Sequence, residues 1–207
     1  MEEASARLIG AALVSRRAYQ DLADLCDRIG NRLAGSEALD RAVAWSMERM
    51  RAGGLEGVRA EEVKVPVWIR GEERATLLHP LERPLPMLGL GGSVGTPPGG
   101  IEADVVVARD FAHLESLGEA VRGRIVLFDV PFTDYGETVA YRGRGASAAA
   151  RLGAVAVLIR SVTPTSLSTP HTGALGYAGD APRIPAAGTR RRPPRREPRM
   201  VPPVFQP

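Results

Sequence analysis

Residues 121–164 read VRGRIVLFDVPFTDYGETVAYRGRGASAAARLGAVAVLIRSVTP and contain two continuous apolar runs, at 124–130 and 154–159. Runs of this length without alternation are typical of strands that are buried on both faces. Residues 143–152 lie between them and carry mostly small side chains, which predicts a helix packed closely on a sheet. The stretch therefore indicates an α/β arrangement with a largely buried sheet.

A third apolar run extends this pattern towards the amino terminus. It covers residues 103–108 and is followed by a predicted helix at residues 111–117. The preceding chain is rich in Gly and Pro up to Ile101, which favours turns. Strands and helices are therefore expected to alternate from residue 103 to residue 159.

Two amphipathic helices are predicted ahead of the sheet. The first ends at Gly30, and the second begins after Ser36, a preferred helix N-cap, and ends at Gly53-Gly54. Their apolar residues fall three or four positions apart: Tyr19, Leu22, Cys26 and Ile29 in the first, and Leu39, Val43, Met47 and Met50 in the second.

The hydrophobic period changes to two at residue 63. Apolar residues alternate with others over residues 63–69, and Gly71 separates this run from a second one at residues 75–78. This pattern predicts a pair of strands. The expected fold is a helical lead-in followed by a mixed α/β or β-rich module.

Composition excludes several classes of protein. The chain has 207 residues, 44% hydrophobic and 25% charged, which is enough for a buried core. No apolar run approaches the roughly 20 residues of a membrane span, and no signal peptide is visible at the amino terminus, so a cytoplasmic location without a membrane partner is the default expectation. A single cysteine, Cys26, excludes a disulfide framework and a Cys-rich zinc module.

The positive charge is concentrated at one end of the chain. The net charge is +3, and residues 188–207 contain six Arg, six Pro and one acid, so they account for more than the whole excess. The rest of the chain is slightly acidic. A nucleic-acid partner is therefore not predicted from the overall charge.

Residues 91–95 match the nucleophile-elbow pattern G-x-S-x-G, with Ser93 as the serine. Asp129 or Asp134 and then His171 follow in the order of a hydrolase triad. An elbow needs a helix directly after the serine, whereas residues 96–100 read TPPGG and cannot continue as one. A Gly/Pro turn is the preferred interpretation.

Residues 143–148 match G-x-G-x-x-A at the expected start of a helix. A dinucleotide site also needs an acid about 20 residues later for the ribose, but no Asp or Glu lies between Glu137 and Asp180. Close helix packing is the preferred explanation for the glycines.

Metal ligands are not recognisable. His79, His113 and His171 stand far apart, and each is interpreted as a surface or hydrogen-bonded residue. His113-Leu114-Glu115 matches the deaminase H-x-E, but that chemistry needs P-C-x-x-C. The acidic pairs 61–62 and 72–73 are expected on a solvated face or at a hairpin end, and Cys26 as a buried, inert thiol on a helix stripe.

Long segments of the chain resemble a known family. LCDRIGNRLAGSEALDRAVAWSMERMRAGGLEGVRAEEVKVPVWIRGEE (25–73), LGLGGSVGTPPGGIEADVVVARDFAHL (88–114), residues 121–164, SLSTPHTG (166–173) and IPAA (184–187) are similar, in this order, to the amino-terminal part of carboxypeptidase Q-like zinc metallopeptidases. These are relatives of aminopeptidases and glutamate carboxypeptidases that bind two zinc ions. The resemblance covers almost all of residues 16–187.

The resemblance implies a discontinuous architecture. Residues 1–69 would be the amino-terminal helical piece of a peptidase α/β domain, and residues 70–187 an incomplete, β-rich protease-associated (PA) insert. In this family the insert shapes substrate access and subunit contacts, so a homodimer is possible. The complete family hydrolyses peptides or dipeptides with two zinc ions that activate a water.

The family's zinc ligands and general base begin with a His-x-Asp element beyond the insert. The resemblance therefore implies a truncated peptidase: no catalytic, cofactor-binding or metal residue is assigned, no zinc is expected on this chain, and the chain is expected to be inactive as written. Family members are often secreted. The alternative hypothesis is a standalone PA-type module that binds a protein or peptide and carries a basic tail.

The resemblance stops after Ala187. Residues 188–207 are expected to be a disordered tail, because their prolines oppose a further strand or helix. We interpret them as out of frame, and translation of the DNA past codon 187 in the other two frames tests this: absence of a continuation with His-x-Asp would reject it. The alternative is a real basic tail whose binding to nucleic acid or anionic lipid falls with salt and disappears when 188–207 are deleted.

Overall fold

The computed structural model describes residues 2–164, 169–190 and 199–201, the last three by their backbone. The chain divides into two compact units between Val67 and Trp68. Each unit is described by itself below.

The first unit is helical. Helix α1 (Glu2–Val14) is followed by α2 (Arg17–Ala23), which continues as a π-helical turn, Asp24–Ile29, and by α3 (Glu37–Ala52). The Oγ of Ser36 accepts a hydrogen bond from the Leu39 N–H, as an N-cap does. Both predicted helices are confirmed, whereas α1 and the π-helical turn were not predicted. Within the described residues, none of the helices has the length and apolarity needed to cross a bilayer.

The predicted apolar stripes of this unit are largely exposed. Ala42 is the only hydrophobic residue that is buried among the described residues up to Val67. Val43 and Met50 are 43% and 49% exposed, and Cys26 is exposed too. The prediction of a buried thiol was wrong, because an amphipathic stripe buries its residues only where another element covers it.

Residues 63–69 form no strand in the structure. All of these residues except the half-buried Trp68 are exposed, and Val63 and Ile69 are 78% and 82% exposed. The prediction of a strand here was wrong, because a strand requires a neighbour for its backbone groups and none of the described residues pairs with these. The second predicted run does contain a strand, β1 (Thr76–Leu77), which pairs antiparallel with β2 (Arg83–Pro84).

The second unit is built on one mixed sheet of eight strands, in the order β2-β1-β8-β4-β5-β6-β7-β3. Strands β4 to β7 are parallel to one another, β3 is antiparallel to β7, and β8 is antiparallel to both β4 and β1. The remaining strand bounds are β3 (Met87–Gly89), β4 (Ala103–Ala108), β5 (Ile125–Phe128), β6 (Ala156–Arg160), β7 (Ala186–Thr189) and β8 (Arg199–Val201).

Two helices connect the parallel strands. Helix α4 (Phe111–Leu117) follows β4 with the predicted bounds, and α5 (Tyr135–Arg151) follows β5. Helix α5 begins eight residues before the predicted start at 143, because the carboxylate of Asp134 accepts a hydrogen bond from the Glu137 N–H and caps an earlier turn. The three apolar runs are confirmed as β4, β5 and β6.

The sheet is covered on both faces. Successive residues of β5 contribute to opposite cores: Val126 and Phe128 to the core beneath α4 and α5, and Ile125 and Leu127 to the core on the other face. All four are at most 3% exposed. A strand that is buried on both faces has a continuous apolar sequence, as β5 does. The prediction of a largely buried sheet is therefore confirmed.

The structure also corrects the expectation for residues 188–207. Strand β7 continues past Ala187 to Thr189, and β8 lies between Pro198 and Pro202 in the sequence. The expectation that the prolines preclude a further strand was wrong, because the three residues between them keep their N–H donors. The rest of the predicted tail, residues 191–198 and 202–207, lies outside the described residues.

Replacing Asp134 with alanine is expected to lower the free energy of unfolding by about 1 kcal/mol, because the first turn of α5 would lose its cap. Asparagine at the same position keeps an acceptor oxygen and should cost much less. Urea unfolding of the two variants beside the parent measures both effects. Equal losses in the two variants would show that the cap contributes nothing.

Candidate functional site

The serine of the elbow pattern has a structural role. Ser93 is 7% exposed, and its Oγ donates to the Val94 carbonyl (3.0 Å) and accepts from the Ala186 N–H (2.9 Å). Of its proposed partners, Asp134 caps α5 and Asp129 pairs with Arg160 at 3.4 Å. These contacts support the interpretation of residues 91–95 as a turn, here fixed against β7.

The glycine-rich motif lies in the middle of α5, so its expected position at the start of a helix was wrong. A Cβ on Gly145 would lie 2.9 Å from Cε2 of Phe128 and 3.2 Å from Cδ1 of Ile159. Phosphate binding uses the free N–H groups of a helix N-terminus, which a mid-helix position does not offer. The interpretation of this glycine as a packing residue is supported.

The histidines are separate, as predicted. His79 is exposed, and the Nδ1 of His113 accepts a hydrogen bond from the Arg109 N–H at 3.2 Å. Among residues 2–164 and 169–190, no three His, Cys, Asp or Glu side chains are grouped so that they could hold a metal ion. The donor groups that the structure describes therefore do not fit a zinc centre.

Glu73 departs from the prediction of a solvated acid. Its side chain is 7% exposed and forms an ion pair with Arg70 at 2.5 Å. The same carboxylate accepts from the Gly89 N–H (3.0 Å), while Arg70 donates to the Gly89 carbonyl (2.9 Å) and lies 4.9 Å from the ring centre of Trp68. This network fixes residues 68–73 to the end of β3. Glu61, in the other acidic pair, is exposed as predicted.

The most developed polar cluster surrounds Arg142 on α5. The Nη1 of this arginine donates to His171 Nδ1 (3.2 Å) and to the Thr172 carbonyl (3.3 Å). Its Nη2 donates to the Tyr135 hydroxyl at 2.9 Å, and the Tyr135 ring meets the His171 ring edge-on. We call Tyr135, Arg142, His171 and Thr172 the Arg142 cluster.

Two glycines allow the backbone to approach this cluster. A Cβ on Gly173 would lie 2.6 Å from Cζ of Arg142, and a Cβ on Gly188 would lie 2.6 Å from the His171 carbonyl oxygen. A side chain at Gly188 would collide with backbone, whereas a side chain at Gly173 would require the end of the Arg142 side chain to move. Residues 171–173 thus lie close to both α5 and β7.

His171 is held in one protonation state. A guanidinium has only donors, so His171 Nδ1 must accept and the neutral ring carries its proton on Nε2. Burial and the neighbouring Arg142 guanidinium lower the pKa of His171 below its ordinary value of 6.5. The neutral form is therefore the one that the fold stabilises.

The lowered pKa of His171 gives the stability a pH dependence. Below pH 6.5 the unfolded chain takes up the His171 proton more readily than the folded chain, so the contribution present above pH 6.5 is lost as the pH falls through the folded-state value. Urea unfolding between pH 5 and 7.5 should show a smaller acid loss in His171→Gln than in the parent. An identical pH dependence of both proteins would contradict this expectation.

An open groove of about 220 Å³ is lined by residues of α4 and α5 together with Gly176 and Ala178. Arg144 lies 5.5 Å from the ring centre of Phe111, and Arg151 forms a two-point ion pair with Asp180 (2.7 and 3.1 Å). The residues that line the groove include Phe111, Glu115, Arg144, Ser147, Arg151 and Gly176. The groove thus presents an aromatic ring and two arginine side chains, and the residues that line it include no nucleophile paired with a base.

The Arg142 cluster was not predicted from the sequence. Tyr135 and Arg142 are seven positions apart and share one helix face, but the predicted helix began at 143 and left both outside it. A longer helix, recognised from Asp134 as an N-cap, would have placed them together. His171 could be noted from the sequence only as a conspicuous residue without an assigned role.

Comparison with known proteins places the chain beside peptidases. It is 51% identical over 171 residues to carboxypeptidase Q from Xenopus laevis (83% of this chain, 36% of that protein) and 42% identical over 189 residues to carboxypeptidase Q from Mus musculus (90% and 40%). The chain thus spans well under half the length of these curated relatives. No protein-family model matches it.

Solved structures agree with this relationship. A peptidase M28 precursor from Shewanella amazonensis superposes with a TM-score of 0.87 at 30% identity, covering 99% of this chain and 50% of that one. A zinc aminopeptidase from Bacillus subtilis superposes with a TM-score of 0.62 at 21% identity, covering 90% of this chain and 42% of that one, and this second likeness concerns the fold alone.

Proposed function

Because the chain is homologous to carboxypeptidase Q over most of its length, we propose that it acts in peptide hydrolysis as the substrate-access part of such a peptidase. The observation that carries the proposal is sequence identity of 42–51% over 83–90% of the chain. Identity at this level over so much of the chain supports a shared role as well as a shared fold. The proposed substrate is a peptide or dipeptide.

The proposal places the zinc chemistry of the family outside the described residues. Two zinc ions would supply the hydroxide and polarise the scissile carbonyl, but no group of donor side chains in residues 2–164 and 169–190 fits a metal ion. Assigned hydrogen bonds and ion pairs engage His113, His171, Asp129 and Glu73 in structural roles. We therefore assign none of them to catalysis.

The unit that begins at Trp68 is proposed to be the PA insert and to line the approach to the catalytic centre. It has its own sheet with a core on each face, so it needs no metal to bury its apolar residues. The groove on α4 and α5 offers an aromatic face and two arginines, which suit contact with peptide chains. A possible homodimer through this unit, as in the family, belongs to the same proposal.

The same two-sided core favours a second candidate function, a binding module that acts on proteins or peptides without a catalytic partner. Both candidates predict a fold that does not require zinc.

Unfolding of the full chain in urea, with and without EDTA, tests that independence. We expect the same midpoint in both solutions, because metal-dependent folds lose their binding free energy to a chelator. A midpoint that falls in EDTA would overturn the assignment of zinc to other residues.

A further inference from the structure

We propose that Arg142 and His171 form a latch that holds residues 171–177 on α5 at neutral pH and releases them in acid. The proposal goes beyond the peptidase role and does not depend on it. It is based on the hydrogen bond from Nη1 of Arg142 to Nδ1 of His171. In the Arg142 cluster, this is the only side-chain hydrogen bond whose acceptor is a histidine, the side chain that titrates near neutral pH.

Other hydrogen bonds also attach residues 171–177 to the fold: the His171 N–H donates to Ser161 Oγ, and the Tyr177 hydroxyl accepts from the Val94 N–H and donates to the Ile184 carbonyl. Gly173 and Leu175 exchange two backbone hydrogen bonds with Gly91, of 2.8 and 3.0 Å. The Thr172 hydroxyl donates to the Gly89 carbonyl, and the Gly176 N–H donates to the Gly143 carbonyl. The apolar residues Leu175 and Tyr177 pack only partly against the core. Among these contacts, the Arg142 side chain is the one that ties the amino-terminal end of the segment, His171 and Thr172, to α5.

Protonation would reverse the contact between Arg142 and His171. An imidazolium has two donors and no acceptor, so a donor would face a donor across 3.2 Å, and two cations would stand side by side. The released guanidinium would also lose its alignment with the Thr172 carbonyl. Both changes act in the same direction, towards release of the segment from α5.

No described neighbour compensates the added charge. On α5, Arg142 and the phenol of Tyr135 face His171. On β7, the uncharged Gly188 approaches the His171 backbone, and before the segment the hydroxyl of Ser161 accepts from the His171 N–H. Among the described residues, no carboxylate forms an ion pair with His171, so the proton meets a cation and uncharged groups.

Release of the segment changes the groove as well. Gly176 and Ala178 form one of its walls, opposite α4. The wall is tied to α5 beyond the latch by the Ala178 N–H, which donates to Ser147 Oγ, and by the ion pair of Arg151 with Asp180. In acid, the part of this wall nearest His171 would therefore loosen, while the part near Ala178 and Asp180 would stay attached to α5.

Hydrogen exchange of the full chain at pH 7.5 and 5.5, corrected for intrinsic rates, tests the latch. Protection of the Leu175 and Gly176 amides should fall by roughly threefold or more in acid, while amides of β5 serve as a reference. In His171→Gln the amide oxygen can still accept from Arg142 and does not titrate, so protection should be equal at both pH values. Unchanged protection in the parent, or an equal fall in the variant, would overturn the proposal.

A second measurement keeps the test independent of the folding of the variant. In the parent protein, the nuclear Overhauser effect between the Tyr135 ring and the His171 imidazole should disappear as that imidazole titrates, because the rings meet only in the latched form. An effect that persists through the titration would contradict release.

Discussion

The substitution Gly145→Val is expected to lower the free energy of unfolding by about 3 kcal/mol. The first added carbon already meets Phe128 at 2.9 Å and Ile159 at 3.2 Å, and the branched side chain adds two more carbons. Phe128 cannot yield easily, because it is fully buried and its ring packs against Phe111 and Tyr141. Overpacking of a dense core forces strained rotamers or a shift of the helix.

A matched control is available two residues away. A Cβ on Gly143 would meet nothing within 4 Å, so Gly143→Ala should raise stability by about 0.5–1 kcal/mol through helix propensity alone. Urea unfolding of both variants separates packing from propensity. A Gly145→Val variant as stable as the parent would show that α5 does not lie as close to β5 as the structure has it.

The cause of the loss in free energy of unfolding can be tested by introducing Gly145→Val into a protein that also carries Phe128→Leu. Phe128→Leu shortens the side chain that Gly145 faces, so the cost of valine should be smaller there than in the parent. The difference is the coupling energy of a double-mutant cycle, expected at about 1 kcal/mol for residues in contact. Strictly additive effects would indicate that the valine acts through another neighbour.

Glu73→Ala is expected to cost about 2 kcal/mol. The substitution leaves the Gly89 N–H without its acceptor and Arg70 without its carboxylate, and each buried group left unpaired costs about 1–3 kcal/mol. The Arg70 side chain is 34% exposed, so water recovers part of its loss, and the expected total stays below that of a fully buried ion pair.

The neighbouring acid provides the control for Glu73. Glu72 is exposed, and Glu72→Ala should change stability by less than about 0.5 kcal/mol. Thermal unfolding of both variants at neutral pH measures the contrast. Equal effects of the two substitutions would mean that the contacts of residues 68–73 with β3 do not stabilise the fold.

The parts of the fold that were predicted share a local cause. Strand β5 and helix α4 are specified by their own residues: an unbroken apolar run predicts burial on both faces, and Asp110 caps the helix at the predicted position. The region around residues 63–69 was not predictable in this way, because alternation records a tendency to pair and not the presence of a partner. Strand β8 likewise depends on long-range pairing with β1 and β4.

The polar networks were the least predictable feature. Glu73 looked like a surface acid, and its burial results from the approach of β3, which lies more than ten residues away in the sequence. Arg142 and His171 are 29 positions apart, so only the fold brings them together. The resemblance to carboxypeptidase Q-like peptidases, in contrast, depended on long ordered segments and is supported by identities of 42–51%.

The zinc content and peptidase activity of the 207-residue chain test most directly whether it holds a catalytic centre. The purified chain is incubated with excess zinc, desalted, analysed for bound metal and assayed on dipeptides, with carboxypeptidase Q from Mus musculus treated in parallel. We expect substoichiometric zinc and no hydrolysis above buffer, because the described donor groups do not fit a metal ion. Stoichiometric zinc together with turnover would contradict the assignment of this chain to substrate access.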